Sequence, residues 1–326
     1  LTQVTPQELA ERIKQESRMV IVSHESADGD ALGCVLALGL MADSLGVACS
    51  LHIPGEGGFP AEYCFLPGVD RIRRGPLPVG QEETTVYVLD CASIKRMDSS
   101  KIDGFGVCVN VDHHQDNTAF GDLNLLDPAA GSTTQILYEV FAAGHLGMTR
   151  DIATALYVGL ITDTGGFQYS STSYRSHEVA AELLKSGVDV ASISRHLYQT
   201  VPLPKLRLLQ RVLERMQIRL EGAMAISWLT AEDFADSEAD ESHVEGLVDN
   251  LRAIAGVRVG VLIREREVDG KRKHRVSLRA SDGSVDVASV AHLYGGGGHV
   301  AAAGFSAEMD LESLLNALDD EVGARL

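Results

Sequence analysis

The sequence lacks any apolar run long enough to cross a bilayer, which takes about 20 residues as a helix. Its most apolar stretch, Ala31 to Ala42, follows Asp28-Gly29-Asp30 and not a basic segment, so it reads as a buried helix and not as a signal peptide. Cysteine pairing is missing too. The five cysteines, Cys34, Cys49, Cys64, Cys91 and Cys108, are odd in number and include no Cys-x-x-Cys. They sit mostly in apolar surroundings and read as reduced core thiols of a cytoplasmic protein. Positive charge is scarce, with 28 Lys and Arg against 46 Asp and Glu and a net charge of −18. That balance argues against a long, non-specific nucleic-acid binder, which needs a basic surface. No internal repeat and no low-complexity tract is present.

What remains is an ordinary globular composition. The 326 residues are 45% hydrophobic and 23% charged, with a mean hydropathy of +0.03. The length suffices for two domains. Leu1 rather than Met opens the chain, which leaves room for a start upstream. The charge is uneven, because residues 205–279 hold 14 of the 28 Lys and Arg, including Lys271-Arg272-Lys273-His274-Arg275. That run reads as the solvated tip of a hairpin sooner than as a nucleic-acid track. A small anionic substrate stays compatible with the acidic background if metals and a local basic surface offset it.

Thr5-Pro6-Gln7-Glu8 supplies an N-cap, a proline at the first helical position and a capping-box glutamate for a helix to about Ser17. Strand Met19–Ser23 follows, then a helix from Ala31 to Leu45 that stops at Gly46, then strand Val47–Ile53. Pro54–Gln81 is mostly loop. Two strands end at Asp90 and Asp112. Ser132 caps a helix to Ala143, and another helix covers Asp151–Leu160, although its apolar end also fits a strand before Asp163. Ser173–Lys185 and Ala191–Gln199 read as helices. This alternation implies an α/β fold with a doubly wound parallel sheet. Val201-Pro202-Leu203-Pro204 marks a boundary, and a charged helix from Lys205 to Met216 follows. We therefore expect a first domain over 1–200, a connection over 201–220 and a second, smaller α/β domain over 221–326. The second has strands Ala223–Leu229, Val257–Val268 and Lys273–Ala280, and helices Val244–Ala255, Val287–Leu293 and Leu311–Val322. Asp269-Gly270 signals a hairpin.

Four apolar segments each deliver Asp or His at or just past their ends. Met19-Val20-Ile21-Val22 precedes His24, Asp28 and Asp30; Val86-Tyr87-Val88-Leu89 precedes Asp90. Val107 to Val111 precedes Asp112-His113-His114, and Tyr157 to Ile161 precedes Asp163. Taken singly, an Asp after a strand is usually a turn former or helix cap. As a set the residues are different, because Asp112, His113 and His114 cannot all be turn formers. Strand ends line the crevice of an open α/β sheet. Carboxylates and imidazoles converging there suit divalent metals such as Mn2+. Cys91 beside Asp90 reads as packing before it reads as a ligand.

These motifs resemble those of the DHH phosphoesterases. Gly295-Gly296-Gly297-Gly298-His299-x-x-Ala302-Ala303-Gly304 resembles the signature of the DHH-associated C-terminal domain. The match is nearest to the bacterial NrnA-like nanoRNase/pAp phosphatase type; RecJ exonucleases, cyclic di-AMP phosphodiesterases and family II pyrophosphatases are more distant. The resemblance implies two divalent ions, Mn2+ first, with Mg2+ or Co2+ as alternatives. His24 and Asp28 would hold one, Asp30, His113 and Asp163 the other, and Asp90 would bridge. Asp112 would orient a histidine, His114 would face the phosphate, and the nucleophile would be a metal-bound hydroxide. In the second domain it implies that Arg279, Ser281, Gly296, Gly297, Gly298 and His299 grip the substrate. The glycine run would be an anion nest before a helix over Val300–Ala303. Relatives often carry Arg where this chain has Gln168, so that contact is absent here or comes from Arg175.

The resulting expectation is a cytoplasmic Mn2+-dependent phosphodiesterase or phosphatase. Its substrate would be a short oligonucleotide or a 3′,5′-bisphosphonucleoside held between the domains. No membrane and no long duplex is expected as a partner, and a homodimer is compatible. The rival readings are a cyclic dinucleotide phosphodiesterase, a RecJ-like exonuclease and an inactive nucleotide sensor.

Overall fold

A computed structural model describes residues 2–25, 27–55, 57–97, 102–268, 271–281, 283 and 285–326. The chain divides into two compact units, Leu1–Thr200 and Val201–Leu326.

In the first unit the order is β1 (Thr2–Gln3), α1 (Pro6–Gln15), β2 (Arg18–Val22), α2 (Gly29–Leu45), β3 (Ala48–Ile53), β4 (Ile72–Arg74), β5 (Thr85–Leu89), β6 (Val107–Asp112), β7 (Leu123–Leu126), α3 (Thr133–Ala143), α4 (Arg150–Asp163), α5 (Tyr174–Leu184) and α6 (Val190–Ser194). Local chemistry sets the boundaries. Thr5 Oγ1 accepts the Glu8 amide at 3.2 Å while Glu8 Oε2 accepts the Thr5 amide at 2.8 Å, which starts α1 as a capping box. Gly46 ends α2 at φ 74°, a left-handed geometry that glycine adopts without steric cost.

The seven strands run parallel in the order β1-β7-β6-β5-β2-β3-β4. The chain moves outward from β2 through β3 to β4, then starts again at β5 on the other side of β2 and moves the opposite way. This reversal is the expected doubly wound topology. It places a crevice outside the carboxyl ends of β2 and β5. Alternation along β2 buries both faces: Met19 and Ile21 join the core under α1 to α6, and Val20 and Val22 join a second cluster with Leu77, Val88, Cys91 and Met97. That second face is covered by the irregular connections flanking β5, as right-handed crossovers in the reverse direction require.

Two readings are corrected here. The apolar end before Asp163 is helix and not strand: α4 runs unbroken from its Thr149 cap to Asp163, with buried residues around most of its circumference. Within Pro54–Gln81 the short strand β4 pairs with β3, and β1 and β7 likewise join the sheet. Strands of two to four residues carry too little alternation to stand out in sequence.

The second unit contains α7 (Leu203–Arg215), β8 (Gln217–Arg219), β9 (Met224–Leu229), α8 (Ala231–Asp236), α9 (Leu247–Arg252), β10 (Val259–Val268), β11 (Lys271–Ala280), α10 (Val287–Leu293), β12 (Gly297–His299), β13 (Ala302–Ala307) and α11 (Leu311–Gly323). Its six-stranded sheet has the order β12-β13-β11-β10-β9-β8, parallel only between β9 and β10. Val261, Ile263, Val276, Leu278 and Phe305 face α10 and α11, whereas Ala225 and Leu262 pack with Leu208 of α7 and Leu251 of α9. β10 and β11 pair antiparallel; the Asp269-Gly270 turn itself lies outside the described residues.

The glycine run differs from expectation. It follows the helix α10 and forms a hairpin, β12 against β13, so no helix begins at Val300 and the helix-N-terminus anion nest is withdrawn. Packing explains why. Ala303, Phe305 and Ala307 alternate into the core as a strand. A methyl group at Gly296 would lie 2.2 Å from the Gly304 carbonyl oxygen, and one at Gly298, whose φ is 143°, 2.4 Å from that of Ala302. The glycines serve close backbone approach.

Candidate metal centre

β2 and β5 lie side by side at the reversal, and their ends deliver the first two groups. His24 stands two residues past Val22, and Asp90 directly follows Leu89. Asp90 has φ 54°, a left-handed conformation uncommon outside glycine, while its amide still donates to Val111 O at 2.9 Å. Asp112 closes β6, and His113 and His114 follow it. Asp28 is the N-cap of α2, accepting the amides of Asp30 and Ala31 at 3.1 Å each; Asp30 lies in the first turn. Asp163 is the last residue of α4, its side chain 28% exposed.

These residues converge. His24, Asp28 and Asp90 present three ligand atoms within 4.8 Å of one another, and so do Asp30, His113 and Asp163, and Asp90, His113 and His114. Asp90 stands between the groups. Its Oδ2 lies 3.7 Å from His24 Nε2, whereas its Oδ1 lies 3.9 Å from His113 Nε2 and 3.7 Å from His114 Nδ1. His113 Nε2 is 3.2 Å from Asp163 Oδ2, and its Nδ1 is 3.3 Å from Ala130 O.

The surroundings fix these groups. The N-terminus of α3 is wrapped on Asp30: Thr133 N donates to Oδ2 at 2.6 Å, and Thr134 N and Oγ1 donate to Oδ1 at 3.0 and 2.7 Å. Thr133 Oγ1 also donates to Asp90 Oδ1 at 2.9 Å. Asp112 Oδ1 lies 2.7 Å from His114 Nδ1 and accepts the His113 amide at 2.9 Å; Asn117 Nδ2 donates to its other oxygen at 2.5 Å. Thr133, Thr134, Asn110 and Asn117 escaped the sequence reading. Ser132 was visible as a cap, but nothing local showed that the following amides reach more than 100 residues back to Asp30.

Charge in the centre is unbalanced. Burial and the adjacent Asp90 push Asp30 up to about 7. Burial, with Asp30, Asp90 and Asp28 behind it, holds Asp163 well above the carboxylate range. Burial alone would raise Asp90, but His24, His114 and His113 keep it below its ordinary value. His113 and His114 are raised against the effect of burial, the former by Asp30, Asp90 and Asp112, the latter by its Asp112 hydrogen bond and by Asp90. His24 Nδ1 is buried without a hydrogen-bond partner among the described residues. Excess carboxylate charge, an unpartnered imidazole nitrogen and an oxygen–nitrogen donor set together fit divalent cations. Cys91, in contrast, donates to Ser93 O at 3.2 Å and packs in the core.

The other predicted residues belong to the second unit. On β11, Arg279 opposes Ala302, which in turn opposes His299 on β12, so both flank one small residue. Arg279 Nη1 donates to Leu278 O at 3.0 Å. Ser281 Oγ donates to Val257 O at 2.8 Å, which spends its hydrogen on the backbone. Gly297 and His299 lie on β12, with Gly296 just before it and Gly298 between them. Gln168 is exposed after α4. Arg175 is held by Glu139 at 2.6 and 2.8 Å and by Glu178 at 3.2 Å.

Residues 18–160 match the N-terminal domain of the DHH family, and residues 222–324 match the DHHA1 domain. A bifunctional oligoribonuclease and PAP phosphatase, NrnA, of Thermus thermophilus is 31% identical over 317 residues, covering 94% of this chain and 91% of its own. The chain belongs to the DHH family. A probable NrnA of Streptococcus mutans is 28% identical over 293 residues, covering 90% of each chain. The fold of this DHH protein is shared with an exopolyphosphatase-related protein of Bacteroides fragilis, at a TM-score of 0.86 and 24% identity over 98% of this chain and 95% of that one. As a DHH phosphoesterase it is a metal-dependent hydrolase, and its Asp and His groups are candidate ligands for divalent ions. Among the described residues no helix is long and apolar enough to cross a membrane.

Proposed function

We propose that this protein hydrolyses short oligonucleotides and 3′,5′-bisphosphonucleosides with two Mn2+ ions. The observation that carries the proposal is Asp90, whose two oxygens face different groups of ligands. His24 and Asp28 would hold one ion, Asp30, His113 and Asp163 the other, and Asp90, which faces both groups, would serve the two. Bound there, divalent ions supply Lewis acidity and an activated water for in-line displacement at phosphorus. Asp112 fixes the His114 ring through Nδ1, and in the protonated ring Nε2 would donate a hydrogen bond to the phosphoryl group or leaving oxygen. The names of the relatives at 28–31% identity support oligoribonucleotide and pAp substrates. In the DHHA1 unit, Arg279, Ser281, His299 and the glycine hairpin are the residues proposed to contact substrate, Arg279 as a forked phosphate contact. The net charge of −18 disfavours long strands, whose binding relies on neutralising many phosphates.

A substrate panel with Mn2+ tests this: pAp, a dinucleotide, a five-mer, a long single strand, cyclic di-AMP and pyrophosphate. The dinucleotide, five-mer and pAp should be turned over fastest. Faster cleavage of the long strand than of the five-mer, at equal concentrations of ends, moves the assignment to a RecJ-like exonuclease. Preference for cyclic di-AMP moves it to a cyclic dinucleotide phosphodiesterase.

A further inference from the structure

Aromatic residues make up 5% of this sequence, yet the large exposed ones among the described residues fall in one stretch of it, residues 169–198. Among the described residues the large exposed aromatics are Tyr169, Tyr174 and Tyr198, at 46%, 78% and 50%. All three follow Asp163 within the first unit. The segment that leaves Asp163 is unusual as backbone. Gly165, Gly166 and Phe167 are successively left-handed, at φ 58°, 67° and 64°. Glycine takes that geometry freely, whereas for Phe167 it is strained, and such strain persists only where neighbouring structure over-determines it. Phe167 is held by stacking on His177, with ring centroids 4.7 Å apart and planes at 27°. Amide hydrogen bonds close the turn, from Gly166 to Ile161 O at 2.7 Å and from Tyr169 to Thr164 O at 3.0 Å.

The turn lays the Tyr169 ring on a bare backbone. A methyl group at Gly165 would lie 2.5 Å from the ring carbons, so only glycine allows the ring this close. Gly165 is two residues past Asp163, so their Cα atoms are at most about 7.6 Å apart. Tyr198 borders the same turn: its hydroxyl donates to Ile161 O at 3.4 Å and would lie 3.9 Å from a methyl group at Gly166. Residues 164–172 contain no Lys or Arg, so the surface offers planar, uncharged area and not a phosphate contact.

We propose that Tyr169, bordered by Tyr198, is a stacking platform for the nucleobase of the nucleotide whose phosphate lies at the metal centre. The inference rests on the proposed nucleotide substrate and adds the residue that recognises its base. Every base has a π-face, so stacking of this kind tolerates sequence. That suits an enzyme that must accept short fragments of any sequence.

The test compares AMP with ribose 5-phosphate, which keeps the sugar and phosphate and lacks the base. Both are titrated calorimetrically into the full chain with Mn2+. Wild-type protein should bind AMP about tenfold or more tightly than ribose 5-phosphate, the ratio expected of one stacked base. Tyr169→Ala should bring that ratio close to one without weakening ribose 5-phosphate, and Tyr169→Phe should keep it, because stacking needs the ring and not the hydroxyl. An unchanged ratio in Tyr169→Ala overturns the proposal. So does an equal loss for both ligands, which would mean that Tyr169 only supports the turn behind Asp163. Dinucleotide turnover by the wild-type protein is read separately. Its absence would sink the nucleotide-hydrolase reading, while the AMP ratio would still report on the platform.

Discussion

Asp90 occupies the position in which one side chain has most to lose. It is buried, its backbone is left-handed, Thr133 Oγ1 donates to it, and its two oxygens face His24 and His113. Asp90→Asn keeps the volume and removes the shared charge. We expect it to lower kcat/KM by several kcal/mol, on the order of a thousandfold, and to weaken uptake of both ions, read by titration calorimetry. Thr134→Val is the milder counterpart. It removes the hydroxyl that donates to Asp30 Oδ1 at 2.7 Å and keeps the amide that donates to the same oxygen at 3.0 Å. Outer-shell losses of this kind cost roughly 10–100-fold in metal affinity. The weakening should fall on one ion and spare the other. Equal weakening of both, or none, would show that Asp30 does not serve a single ion.

At the scale of elements, what the sequence revealed was governed by length and pattern. The capping box of α1, the glycine stop of α2 and the span of α10 could be read directly, because their signals are local. The doubly wound order was readable from alternating strands and helices. The short strands β1, β4 and β7 were not, because pairing with distant partners defines them. In the candidate site, the Asp and His residues at element ends stood out as a set. Thr133, Thr134 and Asn117 did not, because their contacts with Asp30 and Asp112 exist only after folding. The glycine hairpin was misread for a related reason: alanines favour helix in isolation, and here burial of Ala303 and Phe305 in a sheet overrides that preference. The hairpin makes a prediction at its own scale. Gly296→Ala would place a methyl group 2.2 Å from Gly304 O, a backbone atom that cannot turn aside. Forced overpacking typically costs 1–3 kcal/mol. Chemical denaturation should show a loss of about that size, while Mn2+ affinity stays unchanged. A variant as stable as wild type would mean that β12 can move away from β13 at no cost.

At the scale of the whole molecule, the metal centre couples stability to pH, and the sign can be worked out. In the ion-free protein Asp30 titrates near 7 and Asp163 well above 3.8, so from about pH 4 upward the folded state holds protons that the unfolded chain has released. Stability then falls as pH rises, since the slope follows protons bound in the unfolded state minus those bound in the folded. His113 and His114, raised above 6.5, act in the same direction above that pH. Asp90 is shifted the other way, but its window lies below the ordinary carboxylate range. Over pH 5.5 to 8, therefore, the centre increasingly opposes the ion-free fold. A divalent ion reverses this, because it takes the charge that protons otherwise neutralise and must displace them to bind. The quantity to measure is the difference in Tm with and without saturating Mn2+, in which titrations elsewhere in the chain cancel. A ligand at 100 times its Kd stabilises by about 2.7 kcal/mol, so the shift is within easy reach of calorimetry. We expect a small increment at pH 5.5 that grows steadily to pH 8, with proton release on Mn2+ addition at pH 6.5. In Asp30→Asn the growth with pH should be reduced, since one of the displaced protons is no longer there. An increment independent of pH, with no proton release, would mean that the raised carboxyls are not where the ions bind.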